Sequence, residues 1–214
     1  VKDDETKKKM KEDPNRVIKK DKELTKKEKD LDKREDRIRD KKTDKKIYAN
    51  KFYYLKIKDY LEGGHYKNEL YMIDAANRKI LFKSPVKNIS GKRYDIYSEG
   101  IVVITRPQAS NIKHVLTLID RKTLKEVRSG TENIFWRSFV EIKEGSIYAI
   151  IIKNNKYYLG KFDKNLKLTV QSKTEINKDT FITFYEKYIY INSASKEIIV
   201  LEKDSFKKVD VIKP

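Results

Sequence analysis

The sequence predicts a mainly β chain: a β-propeller-like domain of four blades, each with about four antiparallel strands, preceded by a long charged N-terminal α-helix. Three observations support this prediction. A short sequence unit recurs four times, its copies are spaced by 41 to 46 residues, and the composition changes abruptly near residue 46.

The clearest copy of the unit is residues 157–170, where an apolar run reaches Asp163, crosses a short polar turn and resumes as an alternating run. This pattern is typical of a β-hairpin whose turn begins with an aspartate. The other copies contain Asp74, Asp120 and Asp204, so the successive spacings are 46, 43 and 41 residues. A period of this length is in the range of propeller blades.

The four predicted repeats cover residues 47–85, 86–130, 131–172 and 173–214. Each offers an initial strand, a very apolar second strand and the two arms of the Asp-turn hairpin. Four such sheets arranged radially bury their faces against one another and leave only short edges. The competing arrangement is an open or incomplete propeller, whose remaining blades lie on another segment or on a second chain.

The N-terminal part has a different character. Residues 1–12 are a polar charge run that we expect to be disordered. Asp13 and Pro14 are typical of a helix start, and the charged helix or stalk is predicted over residues 13–46. Four apolar residues in it are spaced by seven, but the positions four residues later are all charged. This favours a solvated stalk or a helix lying on the domain over a coiled coil built with upstream residues.

The formal net charge is +18, of which +6 lies in residues 1–46 and +12 in the remainder. A basic surface attracts polyanions without specifying one. The excess of Lys over Arg, with many Asn and Ile, is also what an AT-rich genome produces. The chain has no Cys, which excludes disulfides, thiolate nucleophiles and Cys-based metal sites. No apolar run approaches the ~18 residues that a membrane-spanning helix needs.

Catalytic constellations are scarce. The two histidines, His65 and His114, fall in dissimilar parts of their repeats and match no metal-ligand spacing. Cations stand next to Asp120 and Asp163, and one hairpin aspartate per repeat does not form a cage, which favours a side chain capping its own turn over a calcium ligand. We therefore predict a non-enzymatic protein with no catalytic residue, no cofactor and no metal site.

Four residues are candidate contacts for a ligand or partner. Trp136 is the only Trp in the chain and stands next to Arg137, a pair that can stack on a sugar or bind an anion. The plainer interpretation is that Trp136 fills the core between repeats. His65 and Tyr66 follow the Gly63-Gly64 turn, where a loop or strand-end role is the plainer interpretation.

Several strings resemble a known family. After the Lys/Glu/Asp-rich tract come residues 84–90, 93–97, 101–105 and 157–162, which are similar to the C-terminal part of the borrelial high-molecular-mass major antigen family. The resemblance covers nearly the whole chain. It implies an exported spirochaete protein of the cell envelope, periplasmic or associated with the outer membrane, made with a signal peptide and a long charged region before this domain. It carries over no functional residue.

The sequence thus predicts an envelope antigen in which a β-propeller at the end of a charged stalk serves as an interaction or structural module. We expect a protein partner or a host or envelope component, and a monomer. The alternative is an adhesin-like binder of polyanions such as glycosaminoglycan or nucleic acid, whose affinity would fall steeply with salt. The chain is expected to be a piece of a longer protein.

Overall fold

The computed structural model describes residues 50–61, 65–107 and 113–213. The predicted disordered segment 1–12 and the predicted helix 13–46 lie outside these residues. Residues 51–214 form one compact unit. The described part contains fifteen β-strands in antiparallel sheets, so the prediction of a mainly β, repeat-built chain is confirmed.

The first seven strands form one continuous sheet in two halves. The first half, called sheet one, consists of β1 (Lys51–Leu61), β2 (His65–Asp74) and β3 (Lys79–Lys83). Sheet two consists of β4 (Ile89–Tyr97), β5 (Gly100–Thr105), β6 (Val115–Ile119) and β7 (Glu126–Ser129). A single antiparallel pairing, Asn68 with Ile89, joins the halves.

The remaining strands form two separate four-stranded meanders. Sheet three consists of β8 (Glu141–Lys143), β9 (Ser146–Lys153), β10 (Lys156–Phe162) and β11 (Leu168–Gln171). Sheet four consists of β12 (Thr183–Tyr185), β13 (Tyr188–Asn192), β14 (Ile198–Glu202) and β15 (Lys208–Ile212). Sheets two, three and four therefore share one strand plan, and sheet one shows three described strands of it.

Strand β9 is apolar throughout because both of its faces are buried. Ile147, Ala149 and Ile151 point into a core cluster with sheet two. The alternate residues Tyr148 and Ile150 point into a second cluster with sheet four. Successive side chains of a strand lie on opposite faces, so a strand buried on both faces reads as a continuous apolar run. The cores therefore lie between consecutive sheets.

Backbone hydrogen bonds repeat at each junction between sheets. The amides of Ser84, Gly130 and Ser172 donate to the carbonyls of Leu70, Leu116 and Leu159, at 2.8, 2.8 and 2.9 Å. Each bond joins the segment that leaves a sheet to a strand of that sheet. The acceptor strands are β2, β6 and β10, which occupy equivalent positions in sheets one, two and three. The junctions are therefore built alike although their sequences differ.

Three of the four predicted aspartates cap their own turns. Oδ1 of Asp74, Asp120 and Asp163 accepts two backbone amides each, at 2.7 to 3.1 Å. The pKa of the Asp120 carboxyl is lowered chiefly by the backbone bond from Thr123. The prediction for Asp204 was wrong. Glu202 occupies the turn-initiating position there, since the Phe206 amide donates to its carbonyl as the Leu124 amide does to Asp120.

Each hairpin turn ends in a residue with positive φ. Leu124, Leu166 and Phe206 have φ of 55°, 60° and 56°, a left-handed conformation that non-glycine residues rarely adopt. All three side chains are buried, and Leu166 and Phe206 belong to the two core clusters. Burial of the side chain between sheets therefore compensates for the backbone strain. In the first repeat, the residue at the equivalent end of the turn is Arg78, which is exposed and has φ of 54°.

Replacing Leu166 with Ala should lower the free energy of unfolding by about 2 to 5 kcal/mol, because it opens a cavity between sheets two and three. The matched control is Arg78→Ala, which changes a residue of the same backbone conformation without loss of buried surface. It should change stability by less than about 0.5 kcal/mol. Urea unfolding followed by far-UV circular dichroism measures both, and equal losses would contradict the packing role of the turn residue.

The two terminal sheets each leave one face open. By register, Phe52, Tyr54, Tyr71, Ile73 and Ile80 share the face of sheet one that points away from sheet two. Tyr188, Tyr190, Ile198, Val200 and Ile212 share the face of sheet four that points away from sheet three. On the first of these faces, Phe52, Tyr54 and Ile80 are 44% to 63% exposed while Tyr71 is buried. On the second, Ile212 is 43% exposed while Val200 is buried. Each face is therefore accessible in part.

An ion-pair network lies on the open face of sheet one. The Glu69 carboxylate accepts a 2.6 Å bond from the Tyr71 hydroxyl and lies 3.0 Å from Lys83 and 3.4 Å from Lys58. These contacts, the Tyr71 bond first, lower the pKa of Glu69 from 4.5 to about 2. A lowered carboxyl pKa stabilises the fold above the unfolded value, and the contribution is lost as pH falls through the folded value.

A carbon-detected NMR titration of the Glu69 side chain should give a midpoint near 2 rather than the ordinary 4.5. Tyr71→Phe should raise that midpoint, because it removes the strongest bond to the ionised carboxylate. Any stabilisation due to Glu69 should be complete above pH 4.5 and disappear towards pH 2. An unshifted midpoint in the wild-type chain would show that the network does not persist in solution.

Candidate functional site

A cavity of about 390 Å³ lies where the first strand of sheet two meets the loops that lead into sheets three and four. Its walls combine apolar side chains of β5 with aromatic and charged side chains. The lining residues that matter below are Ser90, Arg93, Trp136, Arg137, Phe139 and Phe181.

One wall is the irregular part of β4. The pairing of β4 with β5 is interrupted between Ser90 and Asp95, which bends the strand away from its partner. Gly91 has φ of 78°, and a Cβ there would lie 3.3 Å from the Trp136 carbonyl oxygen. The Asn68 side chain donates a 2.7 Å bond to the Gly91 carbonyl and holds the bend. A glycine is required here because the backbone is left-handed and passes close to the loop of Trp136.

The opposite wall is the loop of residues 136–140. The Ser138 hydroxyl accepts a 2.7 Å bond from the Ile150 amide and donates a 2.6 Å bond to the Phe139 carbonyl. Thr180 repeats this arrangement one sheet later, accepting from the Asn192 amide at 2.7 Å and donating to the Phe181 carbonyl at 2.9 Å. These buried hydroxyls anchor the loops that carry Phe139 and Phe181 into the cavity.

Thr180→Ala should destabilise the chain by about 1 to 3 kcal/mol, because the Asn192 amide loses its partner in a buried position. Thr180→Ser keeps the hydroxyl and should cost clearly less. Thermal and urea unfolding of the two variants measure the difference. Equal losses in Ala and Ser would mean that the methyl group, rather than the hydrogen bond, holds the loop.

Arg93 is fixed in the middle of the site. Its guanidinium donates to the Asp95 carboxylate at 2.9 Å and to the Val140 carbonyl at 2.7 Å. It also lies over the Phe139 ring, 5.3 Å from the centroid, and the Phe139 and Phe181 rings are 4.6 Å apart. Partial burial opposes the charge, but the bond to Asp95 raises the pKa of Arg93. Arg93 is therefore a charged, oriented link between sheets two and three.

Arg137 differs from Arg93 in being exposed. Its guanidinium lies 5.6 Å from the centroid of the Trp136 ring, and it forms no ion pair with any described residue. The nearby carboxylate of Asp179 is paired with Lys178 at 2.6 Å. A cation stacked on an aromatic ring keeps its N–H groups available for an incoming anion. Arg137 is therefore the cation best placed to contact a ligand.

Ser90 contributes an unsatisfied polar group to the cavity wall. The residue is 1% exposed, and its hydroxyl has no hydrogen-bond partner in the structure. Buried polar atoms are nearly always bonded, since desolvation without a partner is unfavourable. An unpartnered hydroxyl in the wall of an open cavity points to a ligand or water that completes it.

The structure brings Trp136 and Arg137 together at the cavity and leaves the other two candidates elsewhere in the chain. Trp136 also packs against the core between sheets three and four, as the plainer interpretation predicted, and its contact with a ligand stays a prediction. The backbones of His65 and Tyr66 begin β2, and their side chains lie outside the described residues. Sequence reasoning missed Ser90, Arg93 and Phe181. The available signal was the hydroxyl-aromatic pair, Ser138-Phe139 and Thr180-Phe181, at the same place in two repeats.

Two further observations concern the described part of the chain. Over residues 50–61, 65–107 and 113–213, no group of three His, Asp or Glu side chains converges as metal ligands would. Within the same residues, no helix has the length and apolarity required to cross a membrane.

No protein-family model matches the chain, and no curated protein matches it in sequence. Among solved structures it is similar to BamB from Moraxella catarrhalis, with 12% identity over 71% of this chain and 47% of that chain and a TM-score of 0.48. The computationally designed protein Ika8 has 10% identity over 73% and 47%, with a TM-score of 0.47.

A third similar structure is dihydro-heme d1 dehydrogenase NirN in complex with DHE, with 12% identity over 74% of this chain and 37% of that chain and a TM-score of 0.47. This chain therefore spans half or less of the length of the solved structures it matches. Similarity of this degree assigns it no activity, ligand or partner.

Proposed function

We propose that the chain is a non-enzymatic interaction module, built as four propeller-type blades, that binds an acidic segment of a protein partner in the cavity beside Trp136 and Arg137. The observation that carries this proposal is the joint presence of an exposed cation on an aromatic ring and a buried, unpartnered hydroxyl in one cavity. The four blades correspond to sheets one to four.

The four-blade arrangement is supported by the shared strand plan of the sheets. Consecutive sheets pack face to face and are joined by the same junction hydrogen bonds. In a propeller, the loops between blades gather at one end and form the usual ligand site. The cavity occupies such a place, because loops from two junctions and the first strand of sheet two line it.

The chemistry of the cavity favours a ligand with a carboxylate next to an apolar or aromatic group. Arg137 can donate two parallel hydrogen bonds to a carboxylate. Phe139 and Phe181 offer ring surfaces to the apolar part, and Phe181 is 65% exposed. Acidic peptides with aromatic side chains combine these groups.

The absence of an enzymatic role is part of the proposal. The two carboxylates that line the cavity serve structural pairs, Asp95 with Arg93 and Asp179 with Lys178. No pair of titratable groups is left there to exchange protons with a substrate. The strings similar to the borrelial antigen family support a place in the cell envelope and an antigenic role for the exported protein.

The polyanion alternative rests on the net charge of +18 alone. Basic side chains are spread over the described surface and many are paired with carboxylates. Binding through such a surface depends on counterion release and falls steeply with salt. A contact inside the cavity depends on shape and on one oriented cation, so salt weakens it far less.

The single Trp makes the test direct, because the fluorescence of Trp136 reports only on this site. The full chain is titrated with the capped peptide Glu-Phe-Glu-Phe, with its Gln-Phe-Gln-Phe counterpart, and with heparin. The acidic peptide should change the emission at low and high salt, while the amide peptide should not. Arg137→Gln should weaken binding about tenfold or more, whereas Arg106→Gln, outside the cavity, should not.

Two outcomes would overturn the proposal. If heparin binds and its affinity disappears at high salt, while the peptide leaves Trp136 emission unchanged, general charge explains the binding. If the acidic and amide peptides bind equally well, the cavity recognises the aromatic ring and not the carboxylate. Near-UV circular dichroism of each variant verifies that the fold is retained.

A further inference from the structure

The open face of sheet one, called the head face, is an apolar surface with basic flanks. Cross-strand register places Phe52, Ile73 and Ile80 in one row and Tyr54, Tyr71 and Lys83 in the next. Phe52, Tyr54 and Ile80 are 44%, 52% and 63% exposed. Lys56 follows on the same face, beside Glu69, which Lys58 and Lys83 already neutralise. Its charge balance is therefore basic.

The open face of sheet four, called the tail face, is apolar with acidic flanks. Register places Tyr190, Val200 and Asp210 in one row, and Ile198 with Ile212 in another. Glu202 lies opposite Tyr188 on the same face. Ile212 at its edge is 43% exposed, Tyr188, Tyr190 and Ile198 are half-buried, and Val200 in the middle is 5% exposed. The strand residues that share this face include two acids and no base, so its charge complements that of the head face.

Both faces have buried counterparts inside the chain. A face that corresponds in its sheet to the tail face is called tail-type, and one that corresponds to the head face is called head-type. The tail-type face of sheet two, with Val102 and Ile104, packs on the head-type face of sheet three, with Ile147 and Ile151. The tail-type face of sheet three packs in the same way on sheet four. Each interior contact therefore joins a tail-type face to a head-type face. The terminal faces are the two unmatched halves of this contact.

We propose that the head face of one chain packs on the tail face of a second copy of the same chain, so that two copies close one ring. A two-fold axis satisfies both contacts at once, since each copy supplies one head and one tail. We infer a second copy as the occupant because, inside this chain, each tail-type face that is covered by a neighbouring sheet is covered by a head-type face. This interface goes beyond the cavity and does not depend on its ligand.

Sedimentation equilibrium of the full chain over a concentration series tests the inference. The wild-type chain should sediment at twice its 25.4 kDa mass. Ile80→Lys on the head face and Ile212→Lys on the tail face should each raise the dissociation constant about tenfold or more, because a charge enters an apolar contact. Val127→Lys changes an exposed residue of β7, the edge strand of sheet two, and is the matched control, with no expected effect.

Mixing the two variants identifies the geometry. An Ile80→Lys copy and an Ile212→Lys copy still share one intact head-to-tail contact, so the mixture should dimerise more strongly than either variant alone. A head-to-head dimer would leave Ile212→Lys unaffected and would overturn the proposal. So would a wild-type chain that stays monomeric throughout, or one that grows into polymers without closing. Because all three substituted side chains are exposed, unchanged circular dichroism separates lost contact from lost fold.

Discussion

The structure depends on one constraint: each interior sheet must bury both of its faces. Strand β9 meets it by alternating Ile147, Ala149 and Ile151 towards one core with Tyr148 and Ile150 towards the other. A β-strand that is apolar on both sides cannot remain at a surface, so it requires a sheet before it and a sheet after it. Serial stacking of the sheets and the buried side chains of the strained turns follow from this requirement.

The same constraint explains where the cavity forms. Loops between sheets must cross from one core to the next, and they are anchored by the buried hydroxyls of Ser138 and Thr180. Of the residues that follow them, Phe139 is held against Arg93 and Phe181 against Phe139. A rigid scaffold thus presents aromatic and cationic side chains on short loops, as binding sites on repeat folds do.

Much of this architecture was predictable because its signals are local. A few adjacent residues are enough to specify a strand that is apolar on both sides. The same holds for an aspartate that caps its own turn, as at Asp120 and Asp163. Trp136 and Arg137 were predicted as candidate contacts because they interrupt the repeat, and both line the cavity. Ser90 and Phe181 were missed, since their proximity depends on packing between separate sheets. Asp204 was misassigned because Glu202 serves as the turn residue at a shifted position.

The arrangement of the four sheets can be measured directly as the distance between sheet one and sheet four. The chain has no Cys, so spin labels can be placed at Lys56→Cys and Asp210→Cys and measured by double electron–electron resonance. Dilution with unlabelled chain isolates the distance within one copy. We expect a separation well beyond that of neighbouring sheets, which pack about 10 Å apart. A distance of one sheet spacing plus the label arms would show a closed ring and contradict this expectation.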